Sequence, residues 1–160
     1  MVTFETWRWK FYVFESEAEG CPVQRWFDSL PQDHRDEIVD LLDYVRNTTS
    51  KPWPEKVYDS LKGEGGISEI KVENIPCERE GELIEVTYRM YGFFGPKEYK
   101  YSYTFLHAWE KNVKNDRLGK QLAKGRLGEL LRGGSGTGVR QFDFEGKSGP
   151  QTQEKSRRPN

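Results

Sequence analysis

The residues best suited to chemistry are Lys71, Arg89, Tyr91, His107 and Lys111, which fall on or just after extended segments in the middle of the chain. Cations of this kind stabilise an anion that gains charge, and an imidazole or phenol can transfer a proton to it. Neighbouring strands lie about 5 Å apart, so such groups can converge on one phosphate-sized ligand if the register aligns them. A plainer reading competes. Lys71 and Arg89 alternate with Glu69, Glu73 and Glu85, as cross-strand ion pairs on a solvated face do. His107 stands among Tyr103, Phe105 and Trp109, where a histidine often serves structure. Tyr99, Tyr101 and Tyr103 read as one packed strand face, and His34 as helix surface. No Ser-His-Asp order, phosphate-binding glycine loop, dinucleotide fingerprint or metal-binding helix is visible, so neither a cofactor nor a metal is expected.

The elements that must position these residues are legible from periodicity. Leu83 to Tyr91 alternates at period two, with Ile84, Val86, Tyr88 and Met90 on one face and Arg89 and Tyr91 on the other. Strands over Ile67 to Ile75 and Tyr99 to Ala108 flank it, with turns at Pro76–Gly81 and Gly92–Pro96, and make an antiparallel meander. Upstream, Trp7 to Phe14 is a first strand. Pro22 opens a short helix in which Val23, Trp26, Phe27 and Leu30 share a face. Pro31 opens a second helix, Gln32 to about Asn47, with Ile38, Leu41, Leu42 and Val45 at helical spacing. A loop spans Thr48 to Pro54. Lys114 to Leu131 is a last helix, with Leu118, Leu122, Leu127 and Leu130 as core contacts, weakened by Gly119, Gly125 and Gly128 at about 1 kcal/mol each.

The fold class expected is α+β, in one domain over residues 1–132, with a Gly-rich polar tail, 133–160, that reads as disordered. A net charge of −1 argues against a generally basic nucleic-acid binder, yet the charge is uneven. Residues 1–50 hold ten acids against five bases, and residues 110–132 hold seven bases against three acids. Cys21 and Cys77 have no framework spacing, and with His34 and His107 they form no recognisable metal site. Without a secretory leader pattern or an apolar run of about 18 residues, the expected location is the cytoplasm.

Four short segments, in order, resemble the RelE/HigB superfamily of toxin–antitoxin ribonucleases, in particular its phage-derived HigB-like branch. They are GCPVQRWFDSLP, LKGEGGISEIK, VTYRMYGFF and FLHAWEKN, spread over roughly residues 7–132. The resemblance implies an N-terminal strand and helical hairpin packed on an antiparallel sheet, with a C-terminal helix. It implies a metal-independent endoribonuclease that cleaves mRNA, usually on the ribosome, by attack of the ribose 2′-OH to give a 2′,3′-cyclic phosphate. On it, Arg89 and Lys71 would stabilise the scissile phosphate and Lys111 would be a further phosphate contact. His107 would act as acid or base, and Tyr91 would stack on a base or donate a proton. It also implies a cognate antitoxin of helix-turn-helix type. Lys71 stands where the family pattern has arginine, which keeps the charge and loses the two-pronged grip on phosphate. The second lysine of the family's lysine pair is Asn112. A catalytically inactive RNA- or ribosome-binding module of the same fold, or a gyrase inhibitor of the ParE kind, are the alternative readings.

Overall fold

A computed structural model describes residues 9–47, 53–54, 57–111 and 116–144. In chain order these form β1 (Lys10–Ser16), α1 (Pro22–Asp28), α2 (Gln32–Arg46), β2 (Tyr58–Ser60), β3 (Ser68–Arg79), β4 (Glu82–Phe94), β5 (Ser102–Glu110), α3 (Arg117–Arg132) and β6 (Thr137–Gln141). The six strands make one sheet in the order β2-β3-β4-β5-β1-β6. The protein is therefore α+β, with a mixed sheet. The β3-β4-β5 meander forms as the alternation predicts, but β1 lies parallel to β5 and antiparallel to β6. Among the described residues no helix is long and apolar enough to cross a membrane.

Both faces of the sheet are covered. On one, α1 and α2 pack Val23, Phe27, Ile38, Leu42 and Val45 against Phe11, Val13, Ile70, Met90 and Phe105. On the other, α3 sets Ala123 and Leu127 against Phe14, Ile67, Tyr91 and Leu106. Burying Tyr91 and Arg89 beneath a helix changes their chemistry from that of a solvated strand face, because each polar group there needs a partner.

Several expectations are corrected. The tail does not begin at 133: Gly133 ends α3 in the left-handed conformation that glycine adopts without strain, and the chain turns back into β6. Phe142 and Phe144 then enter the main core at 2% and 6% exposure. Positions 145–160 of the expected tail lie outside the described residues, as do Trp7, most of the Thr48–Pro54 loop, Asn112 and Lys114. Pro76–Gly81 is not a turn, since β3 runs on to Arg79 and only Glu80 and Gly81 reverse the chain, both at positive φ. Tyr99 and Tyr101 sit in the loop before β5; Tyr101 still packs at the edge of the core beside Trp9, Tyr103 is fully buried in it, and Tyr99 is exposed. In α3 the buried residues are Gly119, Ala123, Arg126 and Leu127, while Leu118 is exposed. His34 is buried too: its Nδ1 lies 2.6 Å from the Tyr88 hydroxyl, which desolvation pushes up to about 12.

Candidate functional site

Strand pairing brings two rows of polar side chains onto the face beneath α3. Lys71 registers with Arg89, and Arg89 with Trp109. One row along, Glu69 registers with Tyr91, and Tyr91 with His107. His107 reaches this face because of a β-bulge. Tyr91 pairs with His107 and Gly92 with Phe105, leaving Leu106 as an extra residue. Strict alternation would hold His107 and Phe105 on one side. The inserted residue reverses the order, so Tyr103 and Phe105 enter the main core while Leu106 turns toward α3. Gly92 sits opposite this step, where any Cβ would collide with the Thr104 carbonyl and the Tyr103 ring.

Asp116, the N-cap of α3, ties the helix to the site. Its carboxylate accepts from the Tyr91 hydroxyl at 2.6 Å, the Trp109 indole at 2.7 Å and the Gly119 backbone N–H at 3.0 Å. Burial works against the charge of Asp116, but these hydrogen bonds outweigh it and its pKa stays below the ordinary carboxylate value. The Tyr91 phenol is driven the other way, by burial and then by its bond to the carboxylate.

Arg89 lies over this anchor with its side chain 12% exposed. It donates from Nη1 to the Tyr91 hydroxyl at 3.4 Å, and its Nε stands 3.7 Å from Glu69 Oε1. That separation is too long for a hydrogen bond. The Arg89 Nε–H and Glu69 Oε1 are both buried without hydrogen-bond partners among the described residues. Desolvation raises the pKa of Glu69, with Arg89 and Lys71 pulling against it. The result is a buried carboxylate with the basicity of a proton acceptor, beside a guanidinium whose Nε–H is unused.

His107 stacks in parallel on Tyr91 and meets Trp109 edge-on at 4.4 Å. Its Nδ1 lies 3.2 Å from Nη1 of Arg126, while Nε2 has no partner among the described residues. Desolvation and then the Arg126 charge lower its pKa to about 4.

Of the five residues expected from sequence, the structure brings Lys71, Arg89, Tyr91 and His107 onto one face. Tyr91 is fully buried and bonded to Asp116, so it braces the site and offers no ring for a nucleobase. Lys111 lies just past β5 and is exposed; its backbone N–H bonds to the Thr87 carbonyl. Glu69, Trp109, Asp116 and Arg126 belong to the site and were not expected there. Glu69 had a signal, since it shares the parity of Lys71 on β3; the others depend on where α3 lands. No family model, curated protein or solved structure matches this chain in comparisons with known proteins.

Proposed function

We propose that this protein is a metal-independent endoribonuclease of the RelE/HigB kind, the toxin of a toxin–antitoxin pair, acting on mRNA at the ribosome. The observation that carries the reading is the Glu69–Arg89 pair: a buried carboxylate of raised pKa whose Oε1 has no hydrogen bond among the described residues, 3.7 Å from a guanidinium Nε–H that has none either. Transesterification of RNA needs such a pairing. Glu69 takes the proton of the ribose 2′-OH as that oxygen attacks phosphorus. Arg89, with Lys71 opposite it in the sheet, stabilises the charge gathering on the non-bridging oxygens. The 5′-oxygen leaves and takes a proton from water, giving a 2′,3′-cyclic phosphate and a 5′-OH. His107 faces the same phosphate. An antitoxin presenting acidic side chains would silence the enzyme by neutralising Lys71 and Arg89.

The test is inducible expression in a bacterium, with mapping of RNA ends, and cleavage assays on purified ribosomes. Wild-type protein should arrest growth and leave cyclic-phosphate ends; Arg89→Ala and Glu69→Gln should each lower cleavage by about 10²-fold or more. Ribosome binding without cleavage would replace the reading with a non-catalytic module, and DNA damage without mRNA loss would point to gyrase. Wild-type protein that neither arrests growth nor cuts RNA overturns it.

A further inference from the structure

We infer that Arg126 is a positioning residue that holds His107 in one neutral tautomer, presenting its Nε2–H as a hydrogen-bond donor to a phosphate oxygen. The inference rests on the ribonuclease reading for the identity of that acceptor and on geometry for the rest.

A guanidinium only donates. With Nη1 of Arg126 3.2 Å from Nδ1 of His107, Nδ1 must hold its lone pair toward the arginine, and the single imidazole proton must sit on Nε2. Arg126 cannot swing away cheaply. It is 8% exposed, the same Nη1 donates to the Leu106 carbonyl at 2.8 Å, and Nε and Nη2 both donate to Glu19 Oε1 at 3.1 and 2.6 Å. Its guanidinium also lies over the Phe14 ring. Helix α3, strand β5 and the turn after β1 thus meet on one side chain. The bulge at Leu106 makes this possible, because it turns the Leu106 carbonyl and the imidazole toward the same arginine.

The groups facing the ring decide its charge. From α3 and its cap come Arg126, which opposes a proton on Nδ1, and Asp116, which favours one; from the turn after β1 comes Glu19, also favouring one. From β4 comes Tyr91, an uncharged phenol at neutral pH. Burial sides with Arg126, and the ring stays neutral. The second ring nitrogen is then a buried N–H with no acceptor among the described residues, and a phosphate oxygen brought against it would supply what it lacks. A neutral imidazole in this role polarises the phosphoryl group and does not give up its proton.

Nitrogen NMR of uniformly labelled full-length protein tests this, since protonated and lone-pair imidazole nitrogens differ widely in shift. Wild-type His107 should show Nε2–H only, from pH 8 down to about pH 5. In Arg126→Met the proton should distribute over both nitrogens, and the pKa should move from about 4 toward the ordinary 6.5 or so. Glu19→Gln, which leaves Arg126 in place but loosens it, should shift the same signals less. A wild-type Nδ1–H signal, or titration near the ordinary value, overturns the inference whether or not the variants fold. Inorganic phosphate added to wild-type protein should move the Nε2–H signal. If the tautomer is as stated while phosphate moves nothing and no RNA is cut, the ribonuclease reading and the acceptor fail together, and the Arg126 assignment stands.

Discussion

Two glycines in the same helix should respond oppositely to one methyl group. Gly125 is exposed in α3, and a Cβ built there meets nothing within 4 Å. Gly125→Ala should therefore collect the intrinsic helix preference of alanine, about 1 kcal/mol, and raise Tm by about 2–4 °C in a chain of this size. Gly119 carries the same intrinsic preference, but its Cβ would sit against the Asp116 carboxylate, within 2.8 Å of its carbon. The carboxylate must move. Moving it weakens the cap, worth about 1 kcal/mol, and strains the bonds that hold the Tyr91 hydroxyl and Trp109 indole, where an unsatisfied buried donor costs about 1–3 kcal/mol. Set against the helix gain, Gly119→Ala should lose about 1–2 kcal/mol net. Urea denaturation of both variants, each also in an Asp116→Ala background, separates the terms. With the carboxylate gone, alanine at 119 should become neutral or stabilising. If Gly119→Ala stabilises the wild-type protein as Gly125→Ala does, Asp116 does not anchor the site in the way described.

Other outcomes follow from the same geometry. Phe142 lies in the ring cluster with Phe27, Phe105 and Phe144, so Phe142→Ala should cost about 3 kcal/mol, and removal of residues after 132 should expose apolar surface detectable by dye binding. Glu69→Gln should be more stable than wild type at pH 8 while losing cleavage. Burial raises the pKa of Glu69, so its contribution to stability is present at low pH and fades as pH rises through the folded value; equal urea midpoints at pH 8 would count against this. Acid should act through His107 in the opposite sense. Its folded pKa, lowered to about 4, lies below the unfolded value, so stability present above about pH 6.5 is lost as pH falls through that window. The shift corresponds to about 3 kcal/mol at most, and partial exposure of the ring brings this nearer to 2. His107→Asn should flatten that part of the stability profile, and an unchanged slope would contradict it.

Local pattern carried the reading where local forces decide. The alternation of Val86, Tyr88 and Met90 fixed which way Arg89 points, and the spacing of Ile38, Leu42 and Val45 fixed the buried stripe of α2. The register of Lys71 with Arg89 was not legible: the two-residue reversal alone would set Lys71 against Met90, and an irregularity between Val72 and Ile75 shifts the pairing by one. What parity could not supply was the bulge, which lets His107 leave the face of Phe105 without leaving the strand. The role of Glu69 was hidden by its type: beside two cations, a glutamate reads as a surface partner until a helix buries it. His34 was missed for a related reason, since its hydrogen-bond partner is the hydroxyl of Tyr88, 54 positions away. Phe142 and Phe144 sat in a glycine-rich, polar stretch whose ring partners Phe11, Phe27 and Phe105 lie more than 35 residues upstream.

The placement of β1 sets an order of events. Tyr12 pairs with Thr104 on one side and with Gln141 on the other, so the strand made first waits for partners made near the end. During synthesis the α1–α2 hairpin and the β3–β4 hairpin can form from local contacts, while Phe11 and Val13 have no sheet to join. β1 gains one neighbour when β5 arrives and the other with β6, and Glu19 stands opposite Arg126 only once α3 has formed. The site is thus completed late, when α3 brings Asp116 and Arg126 against β4 and β5. A nascent chain cut short of α3 should keep its hairpins and lack Asp116 and Arg126, and with them the bonds that brace Tyr91 and His107.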